Sequence, residues 1–385
     1  MPLDSRRASA VQLAEMRGRA VLLNWVLAWG HLAVLGCTSS VTARDAPADV
    51  PSDAPTADIA SLAADVTSPA LPDLSAPKDA SAPAPSDIAR DLGPGDALDA
   101  VDSPDIPDVP SPPVLKTGTQ LLWLDHGAFP QDPAHPSALL YVPAAFDPTP
   151  PVALVVYLHG HNNCVTNIVG KTSGPCTPGG KARTAFALIE QLESSQRNAL
   201  LLCPELAFDL ASSAPGALGV PDGLLTFVTE VLATMSPPMF VPGDLGPIVV
   251  ASHSGGYAAA AALATVGGLP VSQVWLFDSL YAKSAEFESW LKDDLDSFAT
   301  PGWSRRFMDV YTDGGGTADD SQALAATVAP WFGPNAFVHD TTFATWTLDQ
   351  YDHGVLFKRS MLSHDGVPKY YFRKLLETSG LGATL

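Results

Sequence analysis

Between Thr38 and Leu115 the chain carries 14 Asp and 14 Pro, but not one aromatic residue. Such a stretch cannot bury enough apolar surface to offset the entropy of ordering its backbone. Residues 38–115 are therefore expected to form a disordered, acidic, proline-stiffened linker. A packed core is then confined to residues 116–385, where aromatic residues return, a span that suits one domain. Acidic residues outnumber basic ones 41 to 21, a net charge of -20. A surface of that sign repels phosphate backbones, so nucleic acid is not an expected partner.

Ahead of the linker, Arg6, Arg7, Arg17 and Arg19 precede an apolar run from Ala20 to Gly36 that ends at Cys37. A basic segment, an apolar segment and a small residue before the cut are the layout of an export signal, expected here over residues 1–37. The ending "VLGC" resembles a bacterial lipobox, with Val34 where Leu is usual. That resemblance implies lipidation of Cys37 and anchoring on the outer side of a bacterial membrane, the linker serving as tether. The other reading is an ordinary secretory signal cut nearby, a secreted protein and an incidental Cys37. In an exported chain Cys164 and Cys176, which share a loop rich in Gly, Pro and Thr, are expected to pair. Cys203 lies in an apolar run and reads as a small buried hydrophobe.

From Lys116 onward, strand-like and helix-like stretches alternate. "TQLLWLDHG" and "SALLYVPAAF" read as an antiparallel entry, and "VALVVYLHG" as a strand buried on both faces. "KARTAFALIEQLESSQR" has helical spacing, followed by "NALLLCPEL" as strand, "GLLTFVTEVLATM" as helix and "PIVVAS" as strand. "YAAAAALATVG" reads as helix, "VSQVWLFDSLY" as strand and "SAEFESWLKDDLDSF" as helix. "RRFMDVYTD" is a strand, "DDSQALAATVAPWF" a helix, "TTFATWTLD" a candidate strand and "PKYYFRKLLETSG" the terminal helix. The pattern predicts an α/β fold, a mostly parallel central sheet with helices on both faces.

"VVASHSGGYAAAA", from Val249 to Ala261, is a strand that bends sharply into a helix. A bend of this kind exposes a hydroxyl above the unpaired N–H groups of a helix N-terminus, as a nucleophilic serine requires. Ser254 sits at the apex, with Gly255 and Gly256 allowing close approach of helix to strand. Ser252 stands where such motifs usually have Gly. Upstream, "VVYLHGHNN" puts His159 and Gly160 at the end of a buried strand. With these two stretches the chain resembles the α/β-hydrolase superfamily, across most of residues 116–385 by order of elements. The resemblance implies an oxyanion hole made by the backbone N–H groups of His161 and Gly255, with Gly160 permitting the turn. It also implies a base just before the terminal helix, which points to His364 in "SHDGVPKYYF"; His353 is kept as a cleft residue. His253 cannot curl onto its neighbour and is expected to pack or to touch substrate.

The acid of such a triad has two candidates: Asp278 ending "VWLFD", and Asp313 in "FMDVYTDGGG". Asp278 is favoured because its strand is strongly apolar and delivers a carboxylate to the sheet edge where sites collect. Without the resemblance, Asp278 reads as a helix cap and Asp313 as a turn-former. His159 and His161 have the spacing of metal ligands that Asp278 or His364 would complete, but His-Gly at a strand end has a ready structural use. No metal and no cofactor are expected. The expected activity is hydrolysis of a small-molecule or polymeric ester through an acyl-enzyme. The competing reading is a surface binding module that kept the fold and lost the chemistry.

Overall fold

Every residue of the strand Val152–Leu158 is buried, and its side chains divide by parity. Val152, Leu154, Val156 and Leu158 join one apolar cluster, and Ala153, Val155 and Tyr157 join another on the opposite face. A period of two with both faces apolar is the signature of a central strand between two helical layers. The computed structural model describes residues 115–129, 134–235, 239–299 and 304–384. The export signal, Cys37 and the acidic stretch before Leu115 lie outside the described residues.

Nine strands form the sheet: β1 (Gly118–Leu122), β2 (Ala138–Val142), β3 (Val152–Leu158), β6 (Ala199–Pro204), β7 (Leu245–His253), β8 (Val271–Phe277), β9 (Arg306–Thr312), β10 (Phe337–Asp340) and β11 (Val355–Ser360). Two short strands, β4 (Gly174–Pro175) and β5 (Ala182–Arg183), make a separate hairpin. The order across the sheet is β1-β2-β6-β3-β7-β8-β9-β11-β10. β1 and β2 enter antiparallel, and the strands from β6 onward pair in parallel. Eight helices are described: α1 (Val165–Ile168), α2 (Leu188–Ser195), α3 (Gly223–Thr234), α4 (Tyr257–Val266), α5 (Ser284–Lys292), α6 (Leu295–Ala299), α7 (Ala318–Val328) and α8 (Gly366–Glu377). The apolar sides of α3, α4, α5 and α7 cover one face, while α2 and α8 cover the other. This is the mostly parallel α/β architecture, with helices on both faces, that the sequence pattern predicts. Its loops after β3, β7, β8 and β9 gather at the carboxyl edge, around the point where the strand order reverses.

Some elements differ from the sequence reading. The helix expected over Lys181–Arg197 begins only at Leu188. Ala187 takes a left-handed φ of 55° ahead of it, and Ala182–Arg183 pair instead with Gly174–Pro175. The stretch Ser284–Phe298 is two helices, α5 and α6, rather than one. "TTFATWTLD" is not a strand. The strands of that region are β10 and β11, and β11 was hidden by the charges of Lys358 and Arg359. Lys358 is 1% exposed, and its ammonium donates to Asp340 (2.7 Å) and to the Thr342 carbonyl (3.0 Å). A paired lysine can occupy a strand interior that an unpaired one could not. His353 precedes β11, where its carbonyl accepts from the buried Arg306 at the start of β9 (3.2 Å). That is the opposite edge of the sheet from the expected site, so His353 is not a cleft residue. Among the described residues no helix is long and apolar enough to cross a membrane.

Asp309, at the middle of β9, is fully buried, with the Ser321 hydroxyl as its polar neighbour. Burial, opposed by the Ser321 hydroxyl and supported by the charge of Asp278, pushes its pKa up to about 8. The sign follows from linkage: the folded state holds a proton that the unfolded state releases near pH 4, so stability falls as pH rises from there to about 8. Asp309→Asn should flatten the decline in Tm between pH 5 and 8, read by calorimetry, whereas an unchanged slope would place the titration elsewhere.

Candidate active site

Ser254 follows β7 directly, opening a short 3-10 turn over Ser254–Gly256 that runs into α4. Its backbone is left-handed, φ 51°, a conformation that costs a non-glycine residue about 1–3 kcal/mol and persists only where packing enforces it. The enforcement is visible on several sides. A Cβ on Gly160 would stand 2.6 Å from the Ser254 Cβ, and one on Gly255 would stand 2.0 Å from the His161 ring. Gly160 is required by this close approach, and Gly255 leaves room for the His161 ring in its present position. Ser252, in the place of the usual glycine, is fully buried, and its hydroxyl meets that of Ser279 at 2.8 Å. Ser279 in turn donates to the Ser254 carbonyl (2.8 Å). The hydroxymethyl group that breaks the motif is thus spent on tying the bend to the end of β8.

Asp278, the first residue past β8, also has a left-handed φ, 48°, and is fully buried. Its carboxylate accepts from Thr312 N–H (2.9 Å), from the Thr312 hydroxyl (2.7 Å) and from the Thr317 hydroxyl. The remaining partner is His364 Nδ1, at 2.7 Å. Burial by itself would raise this carboxyl, but the hydrogen bonds from His364, Thr317 and Thr312 outweigh it and hold the pKa below the usual range. Asp278 is therefore an anion that can only accept, which places a proton on His364 Nδ1 and leaves Nε2 with its lone pair. Gly315 lies so close that a Cβ there would strike Asp278 Oδ2 at 1.9 Å, which accounts for the middle glycine of "TDGGG". Asp313, the other candidate acid, is exposed and gripped by Arg359 (2.9 Å). The structure brings Asp278, and not Asp313, to His364.

His159 and His161 diverge from each other. His159 is buried, its Nδ1 meeting the Gly160 carbonyl (2.9 Å) and its Nε2 lying 2.9 Å from Leu206 N and 2.8 Å from Glu205 Oε1. It pins the end of β3 to the segment following β6. His161 turns outward to the Ser213 hydroxyl (2.6 Å), and burial lowers its pKa, with His159 and His364 adding to the effect. At this turn the Asn162 and Asn163 N–H groups donate to the carbonyls of Leu210 and Gly160.

Ser254, His364, Gly160, His161, His253 and Asp365 line one cavity of about 280 Å³, walled on its far side by Lys181–Thr184 of the β4–β5 hairpin. Cys164, at the N-terminus of α1, is bonded to Cys176 beside that hairpin, with Cα atoms 5.8 Å apart. Cys203 is buried and unbonded. Four neighbours of the site were not singled out in the sequence. Tyr281 lies within hydrogen-bond reach of the Ser254 side chain, and burial, then the Asp278 charge, push its pKa up to about 12. Thr312, Thr317 and Ser279 act from loops whose register is set only by the folded sheet.

No family model and no curated protein sequence matches the chain. Among solved structures it is similar to a feruloyl esterase module from Clostridium thermocellum complexed with sinapinate, at 10% identity and a TM-score of 0.42. That alignment covers 71% of this chain and 97% of the other. A ferulic acid esterase aligns at 14% identity over 70% and 99%, with a TM-score of 0.41. A fluorophosphonate-binding serine hydrolase of Staphylococcus aureus aligns at 10% over 69% and 97%, with a TM-score of 0.37. At these scores the chemistry has to be argued from the side chains themselves.

Gly160→Ala should cost about 1–3 kcal/mol of stability through the forced displacement of Ser254, seen as a fall in Tm. The same change at the exposed Gly243, where a Cβ meets nothing, should leave Tm within a degree or so.

Proposed function

We propose that the chain is a serine hydrolase that cleaves carboxylic esters, with Ser254 as nucleophile, His364 as base and Asp278 as the acid that orients it. The observation that carries this reading is the 2.7 Å bond from the buried Asp278 to Nδ1 of His364, a residue that shares its cavity with a left-handed Ser254. In the proposed reaction, His364 Nε2 removes the Ser254 hydroxyl proton as Oγ attacks the ester carbonyl. The carbonyl oxygen becomes an oxyanion, and the backbone N–H groups of His161 and Gly255 donate to it. Gly255 suits this role because the first amides of a helical turn have no partner within it. The tetrahedral adduct then collapses: its C–O bond to the alcohol breaks, and His364 returns the proton to the leaving oxygen. Water, deprotonated by the same nitrogen, attacks the acyl-enzyme and releases the acid. The Asp278 anion stabilises the imidazolium formed in each half-reaction without itself taking the proton. No cofactor enters these steps.

A fluorophosphonate probe should label the protein at Ser254, and Ser254→Ala should abolish the labelling. Asp278→Asn should lower kcat on a p-nitrophenyl ester on the order of 10,000-fold through the wrong imidazole tautomer, while Asp313→Asn changes it a few-fold at most. Folded protein that takes no label and turns over no ester would instead favour a binding module.

The export reading is proposed alongside: signal removal before Cys37, acylation of that cysteine, and display of the domain outside the cell on its acidic linker. Mass spectrometry of the N-terminal peptide should find a diacylglyceryl adduct on Cys37. A free, unmodified terminus at another residue would mark ordinary secretion.

A further inference from the structure

Three groups that the hydrolytic scheme does not require together converge at the cavity. They are His253 at the end of β7, His364 before α8, and Asp365 beside it. One ligand atom from each lies within 4.8 Å of the others. His253 Nε2 is 3.8 Å from Asp365 Oδ1, and the rings of His253 and His364 have centroids 4.4 Å apart. His253 is 3% exposed and lines the cavity, and neither of its ring nitrogens makes a well-formed hydrogen bond among the described residues, the His364 backbone and Asp365 being its polar neighbours. A buried polar group left unpaired calls for an explanation. Packing explains only the ring's faces, one edge-to-face with Phe186 at 4.9 Å.

We propose that His253, His364 and Asp365 form a binding site for a zinc-class dication, with water as a fourth ligand. Two imidazoles and one carboxylate are a donor set of the kind zinc takes in four-coordinate sites, and copper(II) should bind at least as tightly. Magnesium and calcium prefer all-oxygen sites and should not compete. His364 is oriented for this role by the Asp278 carboxylate on its Nδ1, the outer-sphere arrangement that fixes most metal-bound histidines. Tetrahedral ligands on zinc stand about 3.3 Å apart, so the three atoms must draw together by up to about 1.5 Å. Asp365, about half exposed, supplies the movement by releasing its hydrogen bond from the Thr184 hydroxyl (2.5 Å). Lys181 and Arg183 on the far wall oppose the cation, while Asp365 and Asp278 favour it. Arg183 is itself partnered by Asp209 at 3.5 Å.

The ion would occupy the Nε2 lone pair of His364. This consequence rests on the proposed hydrolytic role: zinc should switch the hydrolase off reversibly. The binding itself does not rest on it. Calorimetric titration of zinc chloride into the full-length Ser254→Ala protein should show one site of micromolar affinity and no heat from calcium chloride. In the same background His253→Phe, which keeps an aromatic ring against Phe186, and Asp365→Asn, on a half-exposed residue, should each weaken binding tenfold or more, with unchanged circular dichroism. Cobalt(II) should give the visible absorption of a tetrahedral complex. Absence of zinc binding below millimolar, or equal affinity in the two variants and the parent, would overturn the proposal. With the unsubstituted protein, zinc should abolish ester turnover and EDTA should restore it. Ester turnover without zinc binding removes the metal site alone; zinc binding without any turnover removes the hydrolytic reading alone.

Discussion

The geometry of the carboxyl edge depends on one contact, the approach of Gly160 to Ser254. The ends of β3 and β7 meet there with no room for a methyl group. Holding Ser254 in a left-handed conformation requires that the chain on each side be fixed, and β7 is fixed by parallel neighbours on both flanks. The sheet therefore holds the strain, and the bend is as rigid as the strands that feed it. A loop of the same sequence without two flanking strands would relax to an ordinary turn and withdraw the hydroxyl.

Polar groups at this edge are organised in two chains of hydrogen bonds. One runs from Ser252 through Ser279 to the Ser254 carbonyl and fixes the backbone of the bend. The other runs from the loop after β9 through Asp278 to His364 and sets an imidazole tautomer. Both pass through residues immediately following β8. That strand end contributes Asp278 and Ser279 as consecutive residues, one bonded to the His364 ring and one to the Ser254 carbonyl. A shift of β8 by one residue would break both chains together, which makes its register a shared determinant of the site.

Much of this was legible in the sequence because buried strands of a parallel sheet announce themselves as apolar runs, and the residues that terminate them stand out by contrast. Ser254 and Asp278 each follow such a run, while His364 was read from its place just before the terminal helix; Ser254 and His364 line one cavity, and Asp278 lies buried behind His364. β11 was not legible, since Lys358 reads as solvent-exposed until its partner Asp340 is known, and that partner lies on a different strand. The hairpin of Ala182–Arg183 was masked by a periodicity that Ala185 and the following helix share. Thr312, Thr317 and Ser279 carry no sequence signal, because small hydroxyl residues gain a role only from the carboxylate or carbonyl that folding brings to them. The choice between Asp278 and Asp313 likewise turned on a distant residue, Arg359, which claims the latter.

The Cys164–Cys176 bond divides the cavity into two parts of different origin. The floor belongs to strand ends and would assemble in any compartment where the sheet folds. The far wall, Lys181 to Thr184, belongs to a segment stapled to the head of α1 by an oxidised pair. In a reducing environment the floor would remain, and the wall would rest on the hydrogen bonds from Asn163 to the Thr184 carbonyl, from Asn167 to the Arg183 carbonyl and from the Thr184 hydroxyl to Asp365. The oxidised pair thus adds to how firmly the wall is held, while the strand ends hold the floor without it.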